Sequence, residues 1–400
     1  MNSITLPASA TRSKFNHWVA LFLRTLQGIE IGQIEVTTPE GEKMKFKGSR
    51  AGMSVKLKIY DWRFCERIFL KSDIGLGESY IRKEWHSDNV NGLIQLAVAN
   101  EKILGRIVLG SALSILYYRF KHMLNRNTKK GSKRNILAHY DLGNEFYKLW
   151  LDESMTYSSA LFGDADIDLK DAQARKYQHI IDQLEAKPGD HILEIGCGWG
   201  GFAEYAAKQG YRVTGITISE EQHEYARIRV QRFGSLVDIQ LKDYRDLNGK
   251  FDHVVSIEMF EALGQSYWPT YFSVIDKVLK PTGNVIIQSI TIRNESFASY
   301  ARGTDFIQQY IFPGGMLPSP KKFVQVAQKQ GLKLTATTEF GLDYAKTLAA
   351  WELSFTEVEQ KVRDMGFDDS FIRMWRFYLK YCQGGFEAQK LGVSQFRLSR

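Results

Sequence analysis

Residues 193–201 read Leu-Glu-Ile-Gly-Cys-Gly-Trp-Gly-Gly, an apolar run that ends in four glycines within six positions. His191 to Gly196 has the continuous apolar pattern of a buried strand, and Gly198 to Gln209 carries Phe202 and Tyr205 at helical spacing. A strand that enters a helix through a Gly-rich turn lets backbone N–H groups approach a nucleotide-like ligand. The rhythm continues with strands at 212–218, 237–242, 253–258 and 283–292, a helix at 220–233, and a helix stopped at Leu279-Lys280-Pro281-Thr282-Gly283. This alternation predicts an α/β fold with a doubly wound sheet. A dinucleotide site wants Asp or Glu at the end of the second strand, but Gly215-Ile216-Thr217-Ile218-Ser219 has neither. Glu194, just before the first glycine, is the acid of this loop.

Residues 1–100 predict a small N-terminal α+β module, with strands at 31–36, 43–47 and 54–59 and helices at 61–70 and 92–99. Gly75-Leu76-Gly77 between the helices reads as a turn or a helix entry. Nine basic residues and no acid lie between Lys102 and Arg134, beside apolar 107–109 and 113–118. This stretch, 101–135, reads as a basic amphipathic linker, either a solvated one or a contact with an anionic membrane surface. Residues 136–400 form the α/β domain. Within it, 293–320 is long for a connection and reads as a lid insertion. Helices at 321–330, 345–363 and 369–383 and segments at 333–340 and 394–398 complete the chain.

Composition narrows the setting. A charge of +8, from 53 basic and 45 acidic residues, favours anionic partners. The 44% apolar and 24% charged content argues against a disordered or collagen-like chain. Cys65, Cys197 and Cys382 are odd in number and far apart, with no zinc spacing. A reducing cytoplasm and no metal are therefore expected. No apolar run has the length of a membrane span, so a soluble or peripheral protein is expected.

The E-x-G-x-G-x-G pattern of Glu194, Gly196, Gly198 and Gly200 resembles motif I of the class I S-adenosylmethionine-dependent methyltransferases, which share a Rossmann-like fold. A more specific resemblance spans some 300 residues. Ala138 to Tyr147, Met155-Thr156-Tyr157-Ser158-Ser159-Ala160, Gly215 to Ser219 with Glu221-Gln222, Phe260-Glu261-Ala262-Leu263-Gly264, Tyr310 to Gly315 and Phe340 to Tyr344 resemble the cyclopropane-fatty-acyl-phospholipid synthases. Gly75 to Tyr80 looks like the N-terminal module of their longer bacterial members.

The resemblance implies methyl transfer from S-adenosylmethionine to the cis double bond of an unsaturated membrane phospholipid, followed by proton loss to a bound bicarbonate ion and closure of a cyclopropane ring. Tyr157 and Ser158 would hold the methionine end, Glu194 and the loop Gly196, Gly198 and Gly200 the backbone of the site, Thr217 and Gln222 the ribose and carboxylate, and Tyr244 the adenine. Glu261, Ile290 and Tyr344 match the bicarbonate cage. Ser159 stands where the family has cysteine, and Gln288 where it has histidine. Glu261 would orient the bicarbonate or act as the base itself. Cys382 matches a C-terminal cysteine of the family, although no step needs a thiolate, so a structural role is expected. Aromatic residues Phe297, Tyr300, Phe306, Tyr310 and Phe312 would line an acyl tunnel. A homodimer is implied, and nucleic acid is not expected. Two alternatives remain: a methylene- or methyl-branched (or furan-precursor) product without ring closure, and a non-catalytic lipid- or nucleic-acid-binding protein on the same fold.

Overall fold

The computed structural model describes residues 16–105, 128–129, 131 and 142–400. The basic linker predicted at 101–135 lies outside the described residues except at 101–105, 128–129 and 131. Lys129 there pairs with Asp246 at 2.6 Å.

The described residues fall into two compact units. The first takes residues up to 122, 303–311 and 359–390. Along Ile31–Thr37 (β1) Ile34 and Val36 are buried between more exposed polar neighbours. Phe46 on Lys43–Lys47 (β2) and Val55, Leu57 and Ile59 on Arg50–Ile59 (β3) follow the same alternation. That period of two makes one face of the sheet apolar. With Trp85–His86 (β4) the order is β2-β1-β3-β4. Gly75 to Gly77, read as a turn or a helix entry, lie just after the kink at Ser72 (φ 57°) of the helix Arg63–Ile81, which fits the second of those readings. A Cβ at Gly77 would stand 2.3 Å from the Phe306 ring, so glycine there serves close packing. Asp73 accepts from the Phe306 N–H (3.0 Å) and the Tyr381 hydroxyl (2.9 Å) in the same unit.

The second unit takes residues 123–302, 312–358 and 391–400. Its strands are His191–Ile195 (β5), Arg212–Thr217 (β6), Val237–Leu241 (β7), His253–Ile257 (β8), Val285–Ile292 (β9), Lys333–Glu339 (β10) and Leu391–Ser399 (β11). Their order is β10-β11-β9-β8-β5-β6-β7. The first five are parallel to one another, and β11 runs antiparallel between β9 and β10. This is the class I methyltransferase fold, joined to a small N-terminal α+β sheet. Strand order reverses between β5 and β8, and crevices at such switch points, outside the carboxyl ends of the strands, are where open α/β sheets hold ligands. Val254, Val285 and Ile287 are buried in one core cluster, Val255 and Ile286 in another, so neighbouring residues pack to opposite sides of the sheet. Among the described residues no helix is long and apolar enough to cross a membrane.

Candidate active site

The glycine turn at the end of β5 has the backbone its residues suggest. Gly196, Gly198 and Gly200 adopt φ of 83°, 52° and 80°, the region where a side chain is strained. A Cβ built on Gly198 meets no heavy atom within 4 Å, so the loop faces open space. Glu194 is buried beneath it, and its Oε2 has no hydrogen-bond partner among the described residues. Burial pushes that carboxyl well up, and the Lys176 ammonium opposes the shift. Thr217, ending β6, donates to Gln222 Oε1 at 3.0 Å, while Ser219 caps the helix Glu220–Val230 by accepting from the Gln222 N–H. Ser158 Oγ accepts from Lys176 Nζ at 2.7 Å.

An orphaned acidic oxygen beneath an open glycine loop fits the cationic amino acid end of S-adenosylmethionine, and Thr217 with Gln222 fits its hydroxyl-rich part. When bound, that co-substrate supplies an electrophilic methyl group. Tyr244, expected on the adenine side, is largely buried. Its ring packs in the main core edge-on to Tyr271 at 5.5 Å and lies 5.4 Å from the Arg245 guanidinium, and burial pushes its hydroxyl up to about 12. Core packing, which dominates aromatic burial, has taken up this side chain.

Tyr157 heads a wall of rings. Trp351 lies 5.2 Å from it, Tyr147 5.4 Å, Trp150 5.6 Å and Phe312 6.3 Å. Of the five aromatics expected to line a tunnel, Phe312 packs beside Tyr157. Phe297 and Tyr300 pack on the core of the second unit. Phe306 and Tyr310 belong to the first unit, stacked on each other at 4.9 Å, with Tyr310 donating to Glu78.

The expected bicarbonate cage divides in two. Ser159, Gln288 and Tyr344 do converge, but on a carboxylate absent from the sequence-based set, that of Glu258. Its Oε1 accepts from the Ser159 backbone N–H (2.9 Å) and Gln288 Nε2 (2.8 Å), and its Oε2 accepts from the Tyr344 hydroxyl (2.7 Å). The Ser159 hydroxyl itself donates to the Ala160 carbonyl. Glu261 sits apart from this trio and accepts the Ile290 N–H, with its Oε2 unpartnered among the described residues. A bicarbonate ion does not fit this arrangement. Its oxygens would need donors already engaged, and it would stand against a like-charged group. The signal for Glu258 was in view: Ser256-Ile257-Glu258-Met259-Phe260-Glu261 sets two acids three residues apart just beyond a parallel strand. Cys382 lies in the other unit, and burial pushes its thiol far up, which removes it from nucleophile or base chemistry.

The two carboxyls have different environments. Glu261 is pushed up to about 8, first by burial and then by the charge of Glu258. Glu258 is also raised by burial, but Lys176, Tyr344, Gln288 and the Ser159 N–H all favour its ionised form. The contacts around Glu258 favour its charged form, whereas Glu261, at about 8, holds its proton near neutral pH. The sign for stability follows. A carboxyl raised above its ordinary 4.5 stabilises the fold below 4.5, and that contribution is lost as pH rises to about 8. Glu261→Gln, a mimic of the protonated acid, should therefore gain in melting temperature over the parent from pH 4.5 to about 8 and level off above. Its methyl-transfer rate near neutrality should stay within about 10-fold of the parent, far from the 10²–10⁴-fold loss of a missing base. Thermal melts across that range and a rate measurement check both.

Comparison with known proteins agrees with this fold. The family described as mycolic acid cyclopropane synthetase matches residues 127–396. The tuberculostearic acid methyltransferase of Mycobacterium tuberculosis is 37% identical over 338 residues, 82% of this chain and 79% of that protein. The cyclopropane-fatty-acyl-phospholipid synthase of Escherichia coli K12 is 33% identical over 384 residues, 92% and 96% of the two chains. Among solved structures, a mycolic acid cyclopropane synthase complexed with SAH and CTAB superposes with a TM-score of 0.63 at 28% identity, covering 67% of this chain and 98% of that one. The chain belongs to the mycolic acid cyclopropane synthetase family and is an S-adenosylmethionine-dependent methyltransferase of the cyclopropane-fatty-acyl-phospholipid synthase type.

Proposed function

We propose that the protein transfers the methyl group of S-adenosylmethionine to the cis double bond of an unsaturated acyl chain in a membrane phospholipid, and then removes a proton so that the chain gains one CH₂. The observation that carries this reading is the segment Tyr157-Ser158-Ser159. Tyr157 faces the ring wall, Ser158 joins the Lys176 side of the cofactor half, and the Ser159 N–H holds a carboxylate. An alkene is a weak nucleophile and needs a dry, aligned approach to the sulfonium methyl. The cation left behind is stabilised by π faces.

Closure of that cation to a cyclopropane is the first reading, supported by the match to the Escherichia coli synthase over nearly the whole chain. A second product is favoured by the replacement of the titratable cysteine and histidine by Ser159 and Gln288. Slower proton capture gives the secondary cation time for a 1,2-hydride shift from the methyl-bearing carbon to the cationic one, after which proton loss from the methyl leaves an exocyclic methylene. Both products add the same mass. Feeding deuterium-methyl methionine to cells with and without the protein should give a lipid that keeps two of the three deuterons. Cyclopropyl against vinylic deuterium resonances then tell ring from methylene, and no new lipid in cells with the protein overturns the reading.

The basic stretch supports peripheral docking on anionic membrane, in the cytoplasm. Replacing Lys129, Lys130, Lys133 and Arg134 by Gln removes four charges, worth about 1 kcal/mol each near an anionic surface. Vesicle binding at low salt should fall by at least about 10-fold, and RNA should not compete with vesicles for the parent protein. Unchanged vesicle binding would leave the stretch a solvated linker.

A further inference from the structure

The carboxylate cage contains its own anion. Glu258 has φ of 50°, a left-handed backbone that costs any residue but glycine, and such strain persists where the surroundings determine it. They do so here from both ends. The Glu258 N–H donates to the Gln288 carbonyl at 2.8 Å, and the Gln288 side-chain amide donates back to the Glu258 carboxylate. The orientation of that amide is set in turn. Gln288 Oε1 accepts from Gln395 Nε2 at 3.0 Å, across the β9–β11 pair in which these residues are register partners. Gln395 Oε1 is held by Gln183 Nε2 at 2.7 Å and lies 2.7 Å from His179 Nδ1. Gln288 and Gln395 are both fully buried, so the chain of amides has no competing water on it. Gln288 therefore presents a donor, not an acceptor, to Glu258.

Three donors reach the two oxygens of Glu258, two on Oε1 and one on Oε2. A carboxylate offers about four lone-pair sites, which leaves one on Oε2. Tyr344, the donor to that oxygen, lies 6.1 Å from Trp351, and Trp351 is 5.2 Å from Tyr157 at the head of the ring wall.

Resting on the acyl-methylation reading, we infer that Glu258 is the catalytic base, standing in place of a bound bicarbonate and accepting the proton lost by the methylated acyl chain. In the step, a C–H bond of the transferred methyl breaks. Its electron pair becomes the new carbon–carbon bond, either the third side of a ring or an exocyclic double bond, and the proton passes to Glu258 Oε2. The methyl's former sulfur keeps its electron pair as neutral thioether, so no oxidant or reductant is needed. Gln288 and Gln395 are positioning residues, since they act through Glu258.

The test uses the full chain in buffer stripped of carbon dioxide. Parent enzyme should methylate unsaturated phospholipid vesicles at the same rate with and without added bicarbonate. Glu258→Gln keeps the shape and should lose at least about 100-fold in product, the range of a missing general base, with S-adenosylhomocysteine affinity unchanged by calorimetry. Glu258→Gly relieves the left-handed backbone, opens the cage, and should recover activity on addition of bicarbonate. A separate readout needs no lipid: ¹³C-bicarbonate followed by magnetic resonance should show binding to Glu258→Gly and none to the parent. Bicarbonate binding by the parent, a parent rate that depends on it, or full activity of Glu258→Gln would each overturn the assignment. A parent that methylates no unsaturated lipid while still excluding bicarbonate would instead defeat the substrate reading and leave the filled cage standing.

Discussion

Gly198→Val is expected to fold as the parent does and to bind S-adenosylhomocysteine at least about 100-fold more weakly, a loss of about 3 kcal/mol. The physical case rests on where the added atoms go. At most tight glycines of this chain a Cβ meets backbone or a packed ring, as at Gly75, where the Arg67 carbonyl would lie 2.1 Å away. At Gly198 it meets nothing within 4 Å. The valine therefore projects into the space the loop leaves for the ligand and disturbs little of the protein. Its φ of 52° adds backbone strain of roughly 1–2 kcal/mol, which a domain of this size absorbs with a modest drop in melting temperature. Calorimetric titration and a thermal melt read the two effects separately. Unchanged affinity would remove the loop from the cofactor site.

Lys176→Met is expected to cost about 1.5–3 kcal/mol, the range for a buried hydrogen bond made by a charged group. Lys176 is fully buried, donates to Ser158 Oγ, and is the cation that Glu258, Glu194 and Asp152 face. Burial pushes its ammonium down to about 7, and those three carboxylates resist the fall. Methionine fills the volume but leaves Glu194 and Glu258 without their counter-charge. Both carboxyls are already raised by burial, and without Lys176 both rise further. A carboxyl with a raised native value stabilises at low pH and loses that contribution as pH climbs. The counter-charge part of the gap should therefore be largest just below about 7, where the parent's ammonium is still charged, and should shrink both above that pH, where Lys176 gives up its proton, and at low pH, where the carboxyls take one up. Urea unfolding at several pH values measures it, and a loss below about 1 kcal/mol would mean the ammonium does not hold these carboxylates. Weaker cofactor binding should accompany the loss, because Ser158 also loses its donor.

The parts of this protein readable in its residues are those whose cause is local. The strand at 191–195, the left-handed glycines after it and the helix at 201–208 follow from an apolar run, a φ that only glycine adopts freely, and a 3.6-residue period. So do the alternating strands of the N-terminal sheet. The family resemblance groups Ser159, Gln288 and Tyr344, and in the structure all three contact Glu258. Which acid they meet was not legible. Glu258 and Glu261 are three residues apart and chemically identical, Glu258 directly after β8 and Glu261 within the turn that follows. The choice between them is made by the left-handed backbone at 258 and by the pairing of Gln288 with Gln395 across β9 and β11, residues 107 positions apart in the chain. Tyr244 was likewise local in spacing but not in fate, since the core around Tyr271 took its ring. Residues 303–311 and 359–390, read as parts of the α/β domain, pack with the N-terminal segment. Local sequence encodes periodicity and backbone freedom, whereas the direction of a side chain into a shared site depends on register and packing between distant segments, which form only when the whole sheet does.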